Sequence, residues 1–282
     1  MKLMVGVASM LLLASPWVWA ESGMQEQPKF PFSFEPVAGK KVSIEQPKGG
    51  DVFAHVQGGK PQLLGMVETY VPDDHVTHIA VTGDMNFDGA RDLGILEGIG
   101  YGGVNLFYRV FLWDKKTNTF KEQPEAIGNP VLEAAQQQLV SSQRSGPKWY
   151  TTTFRVHNGL LYPAIEQEMA GTSGDWDVLV FKNPAGKVTG RKVIASGDNL
   201  GKIAEDMPAP TTQVRIKKAW LHDQPNEASK TKMYLVKKDK VTLLDWQATE
   251  GDAYSSEGWF LVHYEGKKVL EKWVDGSALV KP

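Results

Sequence analysis

The chain has 282 residues, and its 31 Lys and Arg against 33 Asp and Glu give a formal net charge of −2. That balance gives no bulk electrostatic reason to bind nucleic acid or an anionic membrane. The chain contains no cysteine, which excludes disulfides, thiolate zinc sites, cysteine nucleophiles and a lipidated N-terminal cysteine. The length allows two domains.

Residues 1–20 have the pattern of a secretory signal peptide. Lys2 supplies a positive start, residues 3–14 are apolar, and Val18 and Ala20 stand at the −3 and −1 positions of a cleavage site. The apolar run is shorter than the roughly 20 residues that a membrane-spanning helix needs. We therefore expect cleavage after Ala20 and a periplasmic protein that is not a lipoprotein.

The region that follows is predicted to be mainly β. Residues 21–50 are polar and rich in Pro and Gly, which predicts a flexible lead-in. Within residues 51–204, short runs rich in β-branched and aromatic residues alternate with Gly, Asn, Asp and Pro. Strands are predicted at 51–56, 78–82, 93–96, 105–113, 150–156, 160–166 and 176–181. They indicate an antiparallel β-sandwich or a propeller-like domain.

One helix is predicted in this region, over Val131–Ser142. Leu132, Ala135 and Leu139 would lie along one face of that helix.

A second, smaller module is predicted at the C-terminus. The prolines within residues 205–212 disfavour helix and central strand, which predicts a linker there. Residues 213–282 contain five short strand-like runs, the number typical of a small barrel. These runs lie at 214–221, 232–237, 240–246, 258–264 and 267–274.

The sharpest motif is the acidic loop Asp84–Asp92. Oxygen-bearing side chains stand at its positions 1, 3, 5 and 9, and Gly89 at position 6 permits a sharp reversal. Calcium prefers six to eight oxygen ligands, which alternate side chains of such a loop can supply. The predicted ligands are the side chains of Asp84, Asn86, Asp88 and Asp92 and the carbonyl of Ala90. The alternative is an acidic hairpin turn without metal.

Other motifs carry less chemistry. His75 and His78 have the spacing of two metal ligands but lack the glutamate of a helical H-E-x-x-H. Ser229–Lys232 matches S-x-x-K without the accompanying K-T-G, so a solvated basic turn is favoured. Asp175 and Asp177 could be paired carboxylates, although a strand-entry turn is favoured. An enzyme is therefore the least favoured reading.

A glycine-rich loop follows the acidic loop, at residues 98–105. Its four glycines and Tyr101 indicate a protruding turn that a cleft of another protein could accept, with a plain wide turn as the equal alternative. The candidate contact residues are Tyr101, Gly102, Gly103, Asn105 and Tyr108.

Together with residues 108–120, 142–146 and 150–166, these two loops resemble a known family. It comprises small periplasmic calcium-containing β-proteins of Gram-negative bacteria, related to invertebrate-type lysozyme inhibitors, and includes immunity proteins against cell-wall-degrading toxins. The acidic loop is also similar to the calcium loops of FG-GAP β-propeller repeats. The resemblance covers roughly residues 78–195. It implies a calcium-containing β domain that plugs a muramidase cleft with a loop.

The sequence departs from the lysozyme-inhibitor motif Ser-Gly-x-x-Tyr. At the corresponding position it has Gly102-Gly103-Val104-Asn105-Leu106. This departure argues against lysozyme itself as the target and leaves other hydrolases open.

The C-terminal module resembles bacterial SH3 domains. The matching segments are residues 218–222, 233–241, 258–262 and 273–274. Such domains occur in envelope proteins and bind peptidoglycan peptides through an aromatic groove. The resemblance implies a groove drawn from Tyr234, Trp246, Tyr254, Trp259 and Trp273, of which at least half must belong to the core.

Two functions follow as hypotheses. The first is a non-enzymatic periplasmic protein, stabilised by calcium, that binds and inhibits a peptidoglycan hydrolase as an inhibitor or immunity protein. The second is a peptidoglycan-binding envelope module, structural or adhesive, without inhibitory activity.

Overall fold

A computed structural model describes most of the chain. The described residues are 23–47, 50–67, 76–146, 148–170, 174–197, 204–249 and 258–280. The predicted signal peptide, His75 and Tyr254 lie outside these ranges. Among the described residues, no helix has the length and apolar character needed to cross a membrane.

Strands account for nearly all the regular structure of the described ranges, and the helical elements there are single 3₁₀ turns. The first eleven strands are β1 Gln25–Gln27, β2 Phe32–Val37, β3 Lys40–Glu45, β4 Asp51–Val56, β5 Gln62–Met66, β6 Ala80–Gly83, β7 Asp92–Gly100, β8 Asn105–Asp114, β9 Thr119–Glu122, β10 Ile127–Gly128 and β11 Pro130–Glu133. The following eleven are β12 Gln138–Ser145, β13 Lys148–His157, β14 Leu160–Ala170, β15 Trp176–Lys182, β16 Val188–Ala195, β17 Thr211–Gln213, β18 Lys218–His222, β19 Lys230–Val236, β20 Lys240–Ala248, β21 Gly258–Glu265 and β22 Val269–Asp275. The predicted mainly β class is confirmed.

These strands form four antiparallel sheets. The N-terminal sheet has the order β2-β3-β4-β5, and the central sheet has the order β1-β6-β7-β8-β10 with β9 also paired to β8. The meander sheet runs from β11 to β16 in chain order. The C-terminal sheet has the order β17-β20-β21-β22-β18-β19. Most strands pair with a chain neighbour, as expected for hairpin connections.

The central sheet is buried on both faces. On one face, Phe111 and Trp113 pack with the N-terminal sheet, where Val42 and Ile44 are fully buried. On the other face, Val110 and its alternate neighbours pack with Leu132 and Leu139 of the meander sheet. Successive side chains of a strand point to opposite faces, so β8 contributes to both cores at once.

The lead-in predicted at 21–50 is wrong, because β1, β2 and β3 lie within it. Phe34 of β2 is buried, as are Val42 and Ile44 of β3, in the period-two pattern of a half-buried strand. The Pro and Gly content of the segment belongs to the turns and edges around these short strands.

The helix predicted over Val131–Ser142 is also wrong. The segment is a hairpin of β11 and β12, in which Leu132 lies directly opposite Leu139. A spacing of seven residues brings two side chains together on a helix, but a hairpin with a turn at their midpoint does the same. Gln137, with φ of 50°, lies in that turn.

The C-terminal sheet shares its core with the meander sheet. Trp176 of β15 meets Phe260 of β21 edge to face, with ring centroids 5.2 Å apart. Arg191 of β16 pairs with Asp245 of β20 at 2.7 Å. The two predicted modules are therefore in contact through an apolar core and an ion pair at its margin.

The predicted linker at 205–212 is anchored at both ends. Arg155 of β13 donates two hydrogen bonds to the Glu205 carboxylate, at 2.7 and 2.9 Å. At the other end, the N–H of Leu243 donates to the Pro210 carbonyl at 2.9 Å, just before β17. These contacts fix the predicted linker to the meander sheet at one end and to the C-terminal sheet at the other.

The Arg155–Glu205 pair gives a pH-dependent contribution to stability. Hydrogen bonds from Arg155 lower the pKa of Glu205, so its contribution is present above the pKa of the unfolded state and lost as the pH falls through the folded-state value. Both side chains are over a third exposed, so we expect Glu205→Gln to lower the free energy of unfolding by less than about 1 kcal/mol at pH 7. Urea unfolding at pH 7 and pH 3 measures this.

The difference between wild type and Glu205→Gln should be smaller at pH 3 than at pH 7, because acid protonates the wild-type carboxyl as well. Glu227→Gln, at an exposed position in a 3₁₀ turn, is the matched control and should change little at either pH. An equal loss at both pH values would contradict the ion-pair origin of the effect.

Candidate functional site

The acidic loop between β6 and β7 is closed by its own side chains. The two oxygens of the Asp84 carboxylate accept from the N–H groups of Asp88 and Gly89, both at 2.9 Å. The side-chain oxygen of Asn86 also accepts from Asp88 N–H, at 3.2 Å, and Asp88 Oδ1 accepts from Ala90 N–H at 2.8 Å. Gly89 has a φ of 81°, as the reversal predicted there requires.

Asp92 has a different role from the other predicted ligands. Its Oδ2 accepts from the N–H groups of Met85 and Asn86, and its Oδ1 accepts from Trp113 N–H at 2.8 Å. Burial, together with the nearby charges of Asp88 and Asp84, raises the pKa of Asp92 to about 7 against the lowering effect of its hydrogen bonds with Trp113 and Met85. Asp92 thus ties both ends of the loop to β8.

A lysine from outside the motif faces the loop. Lys115 Nζ donates to the Asp88 carbonyl and lies 3.3 Å from Asp88 Oδ1. Arg91, the one cation within the motif, points away and donates to Gln25 and Thr82. The sequence gives no sign of the Lys115 contact, because it depends on the β8–β9 turn folding back over the loop.

The oxygens of Asp84, Asn86 and Asp88 are hard ligands of the kind that calcium prefers. Each accepts one or two N–H bonds from the loop, and each carboxylate has about four lone-pair sites, so acceptor capacity remains. The two oxygens of Asp92 are already used by three N–H groups. No group of three or more His, Asp or Glu side chains with metal-binding geometry occurs in the described ranges, so the remaining ligands of an ion here would be amide, carbonyl or water oxygens.

The glycine-rich loop is a rigid turn. Tyr101, Gly102 and Gly103 have φ values of 53°, 65° and 93°, which is the left-handed region. Tyr101 is held there by two contacts with the β12–β13 hairpin. Its hydroxyl donates to the Gly146 carbonyl at 2.6 Å, and the guanidinium of Arg144 lies 5.1 Å from its ring centre.

This turn and the hairpin together make an exposed surface, which we call the aromatic platform: Ile99, Tyr101, Val104, Arg144 and Trp149. Trp149 lies directly opposite Arg144 in the register of β12 and β13. Tyr101 and Trp149 are each 46% exposed, which is high for large apolar side chains. Arg144 and Trp149 were not predicted as contact residues, although residues 142–146 are among the segments that carry the family resemblance and Trp149 and Tyr150 are adjacent aromatics.

Two of the predicted contact residues are buried and cannot touch a partner. The Asn105 side chain exchanges hydrogen bonds with the backbone of Arg144, at 2.8 and 2.9 Å, and so clamps β8 to β12. The Tyr108 hydroxyl lies 2.7 Å from His78 Nε2. Burial lowers the pKa of His78, with the charge of Glu26 opposing that effect. For Asn105 and Tyr108 the prediction is corrected to a structural role.

The Tyr108–His78 bond should therefore support stability. We expect Tyr108→Phe to lower the free energy of unfolding by about 1–3 kcal/mol, because it removes the hydroxyl from a buried histidine nitrogen. Chemical denaturation at pH 7 measures this. Tyr101→Phe is the control, since its hydroxyl is exposed and its loss should have a smaller effect. Equal effects of the two substitutions would show that the buried pair is not special.

A mostly apolar cavity of about 320 Å³ adjoins the platform at Trp149. Its other lining residues come from the central and meander sheets: Val81, Leu106, Tyr108, Asn129, Pro130, Val131, Val140 and Ser142. The Asn129 side chain bridges the sheets by donating to the carbonyls of Val104 and Ser142. The cavity is therefore the space between two sheets held apart by a fixed polar contact.

The residues predicted for the aromatic groove of the C-terminal sheet are divided between the core and the surface, and Tyr254 lies outside the described ranges. Trp246 and Trp259 are buried at 3% and 5% exposure, so they belong to the core. Tyr234 is 42% exposed and meets Trp220 edge to face, with ring centroids 5.2 Å apart. Trp273 is half-buried in β22.

Ser229 and Asp177, two of the weaker candidates, have structural partners. The Ser229 hydroxyl donates within its own turn, to the carbonyls of Gln224 and Asn226. Asp177 is buried and accepts from Gln167 Nε2 at 2.9 Å, and burial raises its pKa.

Comparison with known proteins yields little. No protein-family model matches the chain, and no curated protein is significantly similar to it. A solved structure described as a Xanthomonas type IV secretion system related protein aligns with 64% of this chain and 92% of its own, at 19% identity and a TM-score of 0.33. That TM-score is too low to establish a shared fold.

Proposed function

We propose that this chain is a non-enzymatic periplasmic protein that binds and inhibits a peptidoglycan hydrolase, as an inhibitor or as an immunity protein against a secreted cell-wall toxin. The observation that carries the proposal is the aromatic platform. Exposed Tyr and Trp side chains with an adjacent Arg are the residue types that dominate protein–protein binding energy. They stand here on a turn whose shape is fixed before any partner arrives.

The rigidity of the turn supports binding to a cleft. Positive φ is unfavourable for a residue with a side chain but not for glycine, so among Tyr101, Gly102 and Gly103 it is Tyr101 that is strained. Its contacts with Gly146 and Arg144 hold the conformation. A preordered loop loses little conformational entropy on binding, which is how protein inhibitors gain affinity.

The cavity beside Trp149 supports a defined complex geometry. An apolar side chain of the hydrolase that entered it would be surrounded by apolar walls, with Trp149 at the mouth. Such buried anchors near the centre of an interface carry most of its energy.

The test uses purified peptidoglycan hydrolases, including any encoded beside the gene, and measures both binding and the clearing of a sacculus suspension. We expect one hydrolase to be inhibited, and Trp149→Ala or Tyr101→Ala to weaken binding roughly 10- to 100-fold. Val188→Ala, an exposed apolar position on β16, is the matched control.

Unchanged inhibition by the two platform variants would contradict the assignment of this surface. The absence of binding to every wall hydrolase tested would overturn the proposed function itself.

We further propose that calcium stabilises the acidic loop, bound by Asp84, Asn86 and Asp88 with carbonyl and water oxygens. An ion at this position would neutralise carboxylates that Lys115 alone now balances. The charge that calcium supplies would fix the loop, and with it the packing of β6, β7 and the β8–β9 turn.

Calcium should raise the melting temperature more than magnesium does, because the flexible oxygen set of such a loop suits the larger ion. At roughly a hundred times Kd the stabilisation is about 2.7 kcal/mol. We expect the double variant Asp84→Asn with Asp88→Asn to abolish the calcium response, and Lys115→Met to increase it by removing a competing cation. Differential scanning fluorimetry measures the melting temperature of wild type and of each variant, with calcium and with magnesium.

Lys116→Met is the control for Lys115→Met, since it removes the neighbouring charge. Equal responses to calcium and magnesium, or a calcium response that survives in the double variant, would contradict a specific site.

A further inference from the structure

Strand β19 is an open edge of the C-terminal sheet. Within the described ranges it pairs only with β18, whereas β17 forms the opposite edge. Its residues are mostly exposed, including Met233, Tyr234 and Val236 at 38%, 42% and 45%. An edge strand presents backbone N–H and C=O groups that another extended chain can pair with.

Lysines surround this edge. Lys218 of β18 and Lys230 and Lys232 of β19 are exposed, and a further group follows at the β19–β20 turn, namely Lys237, Lys238 and Lys240. Within the described part of the chain, none of these six forms an ion pair with a carboxylate. The edge therefore carries more positive than negative charge, with Asp239 as the acidic residue of the β19–β20 turn.

Two of the lysines are held in place by aromatic rings. Lys218 Nζ lies 4.5 Å from the centre of the Tyr234 ring, and Lys230 Nζ lies 4.6 Å from the Trp220 ring. Such contacts fix ammonium groups that would otherwise move freely. Each ammonium group also covers a ring face on which a sugar or a nucleobase would stack. This edge is therefore better suited to binding a ligand by charge than by stacking.

Lysine on an edge strand ordinarily prevents pairing with other strands, because burying or crowding the charge is unfavourable. An incoming strand that carries carboxylates is instead attracted by the lysines. Lys230 and Lys232 are both exposed on β19, where its register against β18 shifts between Lys230 and Tyr234. Carboxylates of a partner strand paired with this edge would come within reach of the two ammonium groups.

We propose that β19 is the docking edge for an extended acidic segment of a partner protein, which adds to the C-terminal sheet as an antiparallel or parallel strand. Backbone hydrogen bonds supply affinity, and the lysines select acidic sequences against neutral or basic ones. This site is separate from the aromatic platform, and it stands whether or not that platform binds a hydrolase.

The test uses the whole protein and an acetylated ten-residue peptide of alternating Glu and Thr. Isothermal titration calorimetry should detect binding, and the double variant Lys230→Glu with Lys232→Glu should weaken it roughly tenfold or more. Lys267→Glu with Lys268→Glu is the matched control, because it makes the same charge change at the exposed β21–β22 turn. The control should stay within about twofold of wild type after allowing for net charge.

Hydrogen exchange distinguishes strand addition from simple charge attraction. On binding the peptide, backbone amides of β19 should become more protected, and a peptide with Pro in place of each Thr should not bind comparably. Lys232→Glu alone, which leaves Lys218 and Lys230 on their rings, replaces the double variant should that variant fail to fold.

Several outcomes would overturn the proposal. These are no peptide binding, equal losses in the two lysine pairs, equal binding of the Pro peptide, and no added protection in β19. Binding of the protein to purified sacculi that Lys230→Glu with Lys232→Glu abolishes, without peptide binding, would assign the edge to the cell wall instead.

Discussion

Burial of β8 on both faces is the constraint on which the rest of the structure depends. Phe111 and Trp113 enter one core while Val110 and Leu112 enter the other. A shift of one residue in the register of β8 would exchange all of these side chains between the two cores. The two cores are packed from different side chains, so the packing on each face of β8 fixes its register.

Strand β8 positions both the acidic loop and the aromatic platform. At its C-terminal end, Trp113 N–H binds Asp92 and the following turn places Lys115 over the acidic loop. At its N-terminal end, Asn105 clamps the hairpin that carries the aromatic platform. A ten-residue strand is roughly 30 Å long, so an ion in the loop does not touch the platform residues. Any effect of calcium on the geometry of the platform would pass through the packing of β7 and β8.

Sequence periodicity predicts strands that have one buried and one exposed face. It does not predict which side chains from distant parts of the chain come together. The strands near 51–56, 105–113 and 176–181 follow from alternation and composition, and the acidic loop and the glycine turn follow from their own residues. The helix prediction from Leu132 and Leu139 was wrong because a seven-residue spacing occurs both on one face of a helix and across a hairpin. Lys115, Arg144 and Trp149 could not be assigned to sites, because each reaches its site only through the pairing of distant strands.

The aromatic platform is built from two sheets, so its geometry depends on how those sheets are joined. Its turn is part of the central sheet, and its hairpin is part of the meander sheet. The side chains of Asn105 and Asn129 join the two by hydrogen bonds to backbone groups. Because Tyr101 is strained and depends on the hairpin for its contacts, a small shift between the sheets would release it. The geometry of this exposed surface is thus set by Asn105, Asn129 and the packing beneath them, rather than by the exposed side chains themselves.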